Sequence, residues 1–326
     1  MGGRIPAAAV ADRHPGAVAG LAYAGAGQTH GVLLQGVLWF VAATAMAGLI
    51  PLSDVLSLHV ARRHGFAFAW PRGCGSAAFV GANVLMGAVL TRASVDWVIV
   101  WIAVAGALIA MTAATLLPSD PVTEGPKVAG RERFAGLARL AVDPVFMTAV
   151  LAIGAVQATH GFYYAFSAIA WKAQGISATM TGVLWATSVV VEIAFMWWVE
   201  PWRNRRGIGP GTILTLGGVA AVIRWTALAF SPPLWMLWPL QALHALTFAA
   251  TYLAGLQIIE KLAPPGGHTA AQTLNSVMAA GILIGLATLA AGPLYDRVGV
   301  LGYLAMTGLA VIGLLLQWRL RRVAAV

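Results

Sequence analysis

Ionisable side chains are scarce in this chain: 10% of its 326 residues are Asp, Glu, Lys or Arg, against about a quarter in an ordinary soluble domain. Together with 60% hydrophobic residues, that scarcity excludes a water-soluble fold. Cysteine is nearly absent. Cys74 stands alone, so no internal disulfide is expected and the redox compartment leaves no trace. Acids are rarer than bases, 11 against 20, for a net charge of +9. The bases are spread over short loops and form no patch long enough to follow a phosphate backbone, which argues against nucleic acid as a partner. The seven histidines include no pair three or four residues apart, so a helix-borne metal site has no ligands. No serine sits in a glycine-flanked nucleophile turn. The chain therefore reads as neither an enzyme nor a holder of a cofactor or metal. No cleavable signal is expected at the start, where Arg4 and a short Ala/Val run lead to Asp12 and Arg13.

What the chain does have is long apolar runs, and a membrane crossing needs about 20 such residues. A short first helix is expected over 15–27 and a longer one over 31–60, with Asp54 interrupting it just after Pro51 and a loop at Arg62, Arg63 and Arg72. Further spans follow at 73–91 and 97–118, with Arg92 and Asp96 between them. The first of these opens on Gly73-Cys74-Gly75-Ser76, small side chains that let a neighbouring helix approach. Residues 119–143 form the one long polar segment, with Pro121, Gly125 and Pro126. Within it Phe134, Leu137 and Leu140 recur at helical spacing among Arg131, Arg133 and Arg139, as in a helix lying on an anionic membrane face. Six more spans are expected at 144–171, 179–200, 208–230, 234–259, 267–294 and 299–318. The fold class is all-α and polytopic, with about ten spans: four within 1–118, a linker at 119–143, and a six-helix bundle over 144–326.

Ten alternating spans place sixteen Lys and Arg on the side of both termini and the central segment, and three, Arg92, Lys172 and Arg297, on the other. Basic residues collect in cytoplasmic loops, so both termini are expected in the cytoplasm and the protein in the inner membrane. A weak internal repeat, Gly87 to Arg92 against Gly292 to Arg297, each followed by an apolar span, suits two bundles around a midplane site.

Several polar residues are stranded within these runs. Gln157, His160 and Tyr164 fall on one helical face of a stretch that carries no Asp, Glu, Lys or Arg from 144 to 171. At a rise of about 1.5 Å per residue, His160 and Arg224 lie roughly 24 Å from the inner ends of their helices and Glu192 about 12 Å. His244, with Gln241 on its face, comes out near the middle. Three potential cations thus share the outer half, with a carboxylate below them. That separation argues against a direct Glu192–Arg224 pair. Gln157, His160, Tyr164, Arg224, Gln241 and His244 are expected to bind substrate, and Glu192 or Asp54 to take a coupled proton, because a carboxylate in hydrocarbon is costly and functional by default. Each has a structural reading beside the functional one. Glu192 and His244 could serve as interhelical bonds, Arg224 could snorkel to headgroups beside Trp225, and Asp54 could satisfy the backbone near Pro51. Gln272 and Asn275 read as packing contacts, and Phe162, Tyr163 and Tyr164 suit either an aromatic solute or interhelical packing.

Thr159-His160-Gly161-Phe162-Tyr163-Tyr164, Leu184-Trp185 with Glu192, Arg224-Trp225, Leu243-His244-Ala245-Leu246-Thr247-Phe248, Leu294-Tyr295-Asp296-Arg297-Val298-Gly299 and Pro51-Leu52-Ser53-Asp54 together resemble the phenylpropionate-permease-like branch of the major facilitator superfamily. The resemblance runs from about residue 10 to the end and is strongest after 145. It implies a proton-coupled secondary transporter with six helices in each half, whose partners are a small organic solute, protons and the bilayer. It also implies that the family's first two helices are absent from this chain, with Asp12-Arg13 as the remnant of the loop after them, and Cys74 stands where the family has an aromatic residue. Against this stands the alternative of a non-transporting or partner-binding membrane protein, which nucleotide sequence upstream of Met1 would discriminate.

Overall fold

The computed structural model describes residues 7–29, 31–90, 93–94, 97–115, 130–264 and 267–323, and no strand occurs among them. The helices are α1 (Ala7–Gln28), α2 (Val32–His64), α3 (Ala69–Leu90), α4 (Trp97–Thr115), α5 (Gly130–Val142), α6 (Pro144–Ala173), α7 (Thr179–Arg205), α8 (Pro210–Ala229), α9 (Leu234–Leu262), α10 (268–298) and α11 (Tyr303–Val323). Among the described residues α6, α7, α8, α9 and the stretch Ala270–Val323 are long and apolar enough to cross a membrane. A 3-10 turn at Gly299–Gly302 divides the last of them. Leu33–Ala42 and Trp97–Ile109 are shorter apolar runs.

Several helix ends differ from the sequence expectation. α1 begins at Ala7, so Asp12 and Arg13 lie inside a helix and not in a loop ahead of one. The run Ala7-Ala8-Ala9-Val10-Ala11 explains this, since alanine has the highest helix propensity. α2 continues through Arg62 and Arg63 to His64. It stops where Gly65 takes a left-handed conformation at φ +72° and its N–H reaches the Ala61 carbonyl, a stop that glycine makes without steric cost. Arg72 therefore sits in the first turn of α3, and the loop shortens to 65–68. In the polar segment the expected helix forms as α5, but Leu140 is buried in one apolar cluster with Phe146 and Leu320. That residue faces protein, not a membrane surface. Arg92, Asp96, Pro121, Gly125 and Pro126 lie outside the described residues, as do the side chains of Arg131, Arg133 and Phe134.

The chain divides into two compact units, Met1–Phe66 with Gly81–Val128, and Ala67–Val80 with Ala129–Val326. In the first, α1 packs against α2 and α4. Tyr23 meets Trp39 edge to face at 4.9 Å, and a Cβ added at Gly27 would stand 2.8 Å from Ile99 Cδ1. Asp54 is buried on α2 within this unit.

The second unit is built on close helix approaches. Gly161 on α6 lies against the α10 backbone, where a Cβ would come within 2.9 Å of the Thr288 nitrogen. Gly154 and Gly255 bring α6 to α10 and α9 in the same way. Membrane helices associate through small residues of this kind because lipid supplies no hydrophobic drive between them. Gly217 on α8 meets Thr251 and the Leu246 carbonyl of α9, where a Cβ would stand 2.8 Å from that oxygen. Arg224 is seven residues further along α8, two turns away on the same face. The approach at Gly217 therefore sets how Arg224 meets α9.

Gly217→Ala is expected to destabilise the protein by about 1–3 kcal/mol through overpacking. Gly308→Ala, with open space around it, should leave stability unchanged or raise it. Thermal unfolding of the two variants in one detergent compares them.

Candidate functional site

Three long helices around the polar residues of the second unit depart from α geometry beside one of them, while α8, which carries Arg224, runs as an unbroken α-helix. α6 breaks at Thr159, directly before His160. α7 takes a π turn at Phe195–Val199, soon after Glu192, and α9 takes one at Ala245–Ala250, immediately after His244. π turns carry one residue too many for the i→i+4 ladder and recur at functional sites. The Thr251 hydroxyl donates to the Leu246 carbonyl at 3.1 Å, supplying a partner in the widened turn. A further π turn spans Val277–Leu283 in α10.

These irregularities bring polar groups from α6, α8 and α9 together around Arg224. Its Nη1 donates to His244 Nδ1 and to Thr247 Oγ1, both at 3.1 Å, and its Nη2 donates to Gln241 Oε1 at 3.1 Å. The same Gln241 oxygen accepts from the Tyr163 hydroxyl at 2.8 Å. The guanidinium carbon lies 4.6 Å from the Tyr163 ring centre and 4.7 Å from that of Trp225, so two aromatic faces hold the cation. On α6, His160 Nδ1 donates to the Gln157 carbonyl at 3.0 Å, and Nε2 stands 3.1 Å from Thr247 Oγ1. Gln157 Nε2 donates to the Phe248 carbonyl at 3.2 Å. Arg224, His160, Gln241 and Thr247 are fully buried.

Donor and acceptor counting fixes the charges. A guanidinium has no lone pair to offer, so His244 Nδ1 and Thr247 Oγ1 must accept from it. His244 then carries its proton on Nε2, which faces Glu192 Oε2 at 3.6 Å. The Thr247 hydroxyl hydrogen goes to His160 Nε2, nearer than its alternative, the His244 carbonyl at 3.4 Å. Both imidazoles are thus neutral in this arrangement. Of the three cations expected from the sequence, Arg224 alone is charged here, because it uses His244 as an acceptor.

Glu192 is buried on α7 and accepts from the Ser76 hydroxyl at 2.7 Å. Ser76 belongs to α3, whose first turns dock on α7. Trp70 stacks on Trp197 at 5.4 Å, the Trp197 indole N–H donates to the Trp70 carbonyl at 3.3 Å, and Gly73 is the residue under the Trp197 ring. Among the described residues Glu192 and Arg224 make no direct pair; His244 lies between them. Among the donors in the centre, Arg224 Nε, Gln241 Nε2 and Trp225 Nε1 have no partner.

Of the residues singled out from the sequence, Gln157, His160, Arg224, Gln241, His244 and Glu192 meet in this network. Tyr164 stays at its margin, 41% exposed, with its ring 5.7 Å from His160 and 5.8 Å from Trp185. Asp54 belongs to the other unit. Gln272 ties α10 to α9 through the Leu256 carbonyl at 2.8 Å, and Asn275 is buried. The sequence reading missed Thr247, and took Tyr163 only as an aromatic of the pathway or of packing and Ser76 only as a small side chain. Thr247 and Tyr163 each stand three residues after a singled-out histidine, on its helical face, and that spacing was the available signal. Thr247→Val removes an acceptor from a buried cation and is expected to cost about 1.5–3 kcal/mol. Thr247→Ser should retain most of that stability, and denaturation of both variants reads the difference.

Comparison with known proteins agrees with this architecture. A probable 3-phenylpropionic acid transporter of Escherichia coli strain K12 is 29% identical over 261 residues, 77% of this chain and 65% of the relative. A maltose permease of Geobacillus stearothermophilus is 26% identical over 265 residues, 80% of this chain and 64% of the relative. The chain thus spans a little under two thirds of the length of these curated relatives. Among solved structures, the nucleoside transporter NupG superposes with a TM-score of 0.66 at 15% identity, covering 96% of this chain and 83% of that one. The E. coli fucose:proton symporter gives 0.65 at 17%, covering 97% and 84%. These two establish the fold alone. The model of the MFS_1 like family matches residues 17–303, and the chain accordingly belongs to that family of major facilitator transporters.

Proposed function

We propose that the protein is a secondary active transporter that carries a small organic acid together with a proton across the inner membrane by alternating access. In this reading the chain contributes ten spans, four before the polar segment at 119–143 and six after it, with both termini in the cytoplasm. The observation that carries the substrate class is the environment of Arg224. A buried guanidinium normally has a carboxylate beside it, because an unpaired charge in a low-dielectric interior is costly. Here its three acceptors are uncharged, and its Nε–H and the Gln241 amide N–H are unpartnered. A carboxylate arriving as cargo supplies both the missing charge and the missing acceptors. Tyr163, Trp185 and Trp225 surround that position with aromatic faces, Tyr163 and Trp185 stacking at 4.7 Å, which suits an aromatic acid. The relative described as a probable 3-phenylpropionic acid transporter points to the same chemistry.

Glu192 is the group to take the coupled proton. It lies at depth, its Oε1 is held by Ser76, and His244 Nε2–H connects it to the Arg224 cluster. Proton uptake at Glu192 removes the charge that faces His244 Nε2 and thereby changes what Arg224 rests on, so cargo and proton act on one chain of polar contacts. Asp54 is a second carboxyl available for the same role.

Uptake of labelled 3-phenylpropionate into proteoliposomes tests the reading. An acid exterior should drive accumulation and a protonophore should abolish it, with maltose not taken up. Arg224→Gln should lower uptake by about two orders of magnitude. Gln241→Glu should do the same by placing a fixed carboxylate on the guanidinium. Glu192→Gln is expected to leave exchange intact while flattening the pH dependence, and an unchanged pH profile in that variant removes Glu192 from the proton path. Uptake of maltose in place of the acid overturns the substrate class.

A further inference from the structure

At the ends of α7 and α11 the sequence repeats one motif, Trp202-x-x-x-Arg206 and Trp318-x-x-x-Arg322. In each, the arginine folds back over the indole one turn earlier. The Arg206 guanidinium carbon lies 5.8 Å from the Trp202 ring centre, and that of Arg322 lies 3.5 Å from the Trp318 ring centre. Both indoles are turned outward, 46% and 55% exposed. The two motifs bracket the start of α8. α7 runs into it through residues 206–209, closed by Arg203 Nη1 donating to the Ile208 carbonyl at 2.5 Å. α11 is tied to it by Gln317 Nε2 donating to the Gly211 carbonyl and by Arg321 Nη2 donating to Thr212 Oγ1, each at 2.9 Å.

The charge balance of this corner is one-sided. Arg205, Arg206, Arg319, Arg321 and Arg322 are exposed, and among the described residues none of them forms an ion pair. Glu200, the one carboxylate within 200–212 and 317–323, is chelated by Arg203 and also accepts from Gln257 at 3.0 Å and Asn204 at 3.2 Å. Its lone pairs are in use, so it neutralises none of the five. Along each helix the order is apolar span, then indole, then guanidinium. That order matches the layers of a membrane interface, where tryptophan sits at the headgroup boundary and arginine reaches the phosphates in a planar, forked geometry.

We propose that the paired Trp–Arg motifs, together with Arg321 anchored on Thr212, form a binding site for the phosphate headgroup of an anionic glycerophospholipid. The indoles seat the glycerol and upper acyl region while the guanidinium groups take the phosphate. The site needs only the membrane setting of the second unit and stands whichever solute the protein carries.

The test is native mass spectrometry of the full chain released from nanodiscs containing phosphatidylglycerol or phosphatidylcholine, with thermal unfolding in the same discs. Retained adducts and a stabilising shift are expected with phosphatidylglycerol and not with phosphatidylcholine. Arg206→Gln with Arg322→Gln should weaken phosphatidylglycerol retention by about fivefold per arginine removed, and the paired Lys substitutions should weaken it less. Arg139→Gln with Lys261→Gln, an equal loss of charge elsewhere on the unit, should leave retention unchanged. Equal loss in that control means diffuse attraction and overturns the site. Displacement of the lipid by millimolar inorganic phosphate assigns the arginines to a free anion and likewise overturns it. The phosphatidylcholine arm and the Lys pair keep the proposal exposed should the Gln variants unfold.

Discussion

One buried cation organises the second unit. Arg224 places a permanent positive charge among apolar helices, and all its protein acceptors are neutral: an imidazole nitrogen, a hydroxyl and an amide oxygen. The electrostatic cost of such a charge is met in part by the faces of Tyr163 and Trp225, since an aromatic face attracts a cation more strongly when both are out of water. The remaining constraints follow. His244 must present a lone pair at Nδ1, so its proton turns toward Glu192. Thr247 must accept from Arg224, so its hydrogen turns toward His160. Gln241 must point its oxygen inward, where it also receives the Tyr163 hydroxyl, and its amide N–H is left without a partner.

The backbone is shaped to allow this. A straight α9 would space His244 and Thr247 on a regular ladder, whereas the π turn beginning at Ala245 widens the helix between them. α8 can come close enough for Arg224 to reach both because Gly217 has no side chain where Thr251 and the Leu246 carbonyl lie. At the break at Thr159 the Gln157 carbonyl accepts from the His160 ring. Helix irregularities, glycine approaches and polar side chains thus coincide, and the same breaks are the places where a helix can bend with least loss of hydrogen bonding.

Composition and periodicity carried much of this in advance. Apolar runs located the long helices, and a polar residue inside such a run costs enough to be noticed, which is why His160, Glu192, Arg224 and His244 stood out. Partners were harder to read. Tyr163 and Tyr164 are adjacent and chemically identical, and only which face of α6 packs inward decides that Tyr163 reaches Gln241 and Tyr164 stays at the edge. Thr247 was hidden because threonine is unremarkable in a membrane helix, where it commonly bonds to its own backbone. Helix ends were the least legible part. Arg62, Arg63 and Arg72 mark a polar boundary but not where the backbone turns, and the left-handed Gly65 decides that. Nor does a count of basic residues show that Leu140 is buried against protein.

The two buried ionisable groups, Arg224 and Glu192, stand apart, where a structural brace would pair them directly. A carboxylate placed directly on Arg224 would form a buried ion pair, neutral overall and expensive to break, and no cargo could compete with it. In this protein the carboxylate sits one imidazole away, with Glu192 Oε2 at 3.6 Å from His244 Nε2 and Arg224 on the far side of the same ring. The longer contact leaves the cation short of a counter-charge and the carboxylate short of a cation, so each keeps an affinity for something that arrives from outside. Under the proposed function these are the two positions that an acid and a proton take. Because the shared ring presents its single proton in one direction only, a change at either position bears on the other, and the proposed coupling of acid to proton rests on that dependence.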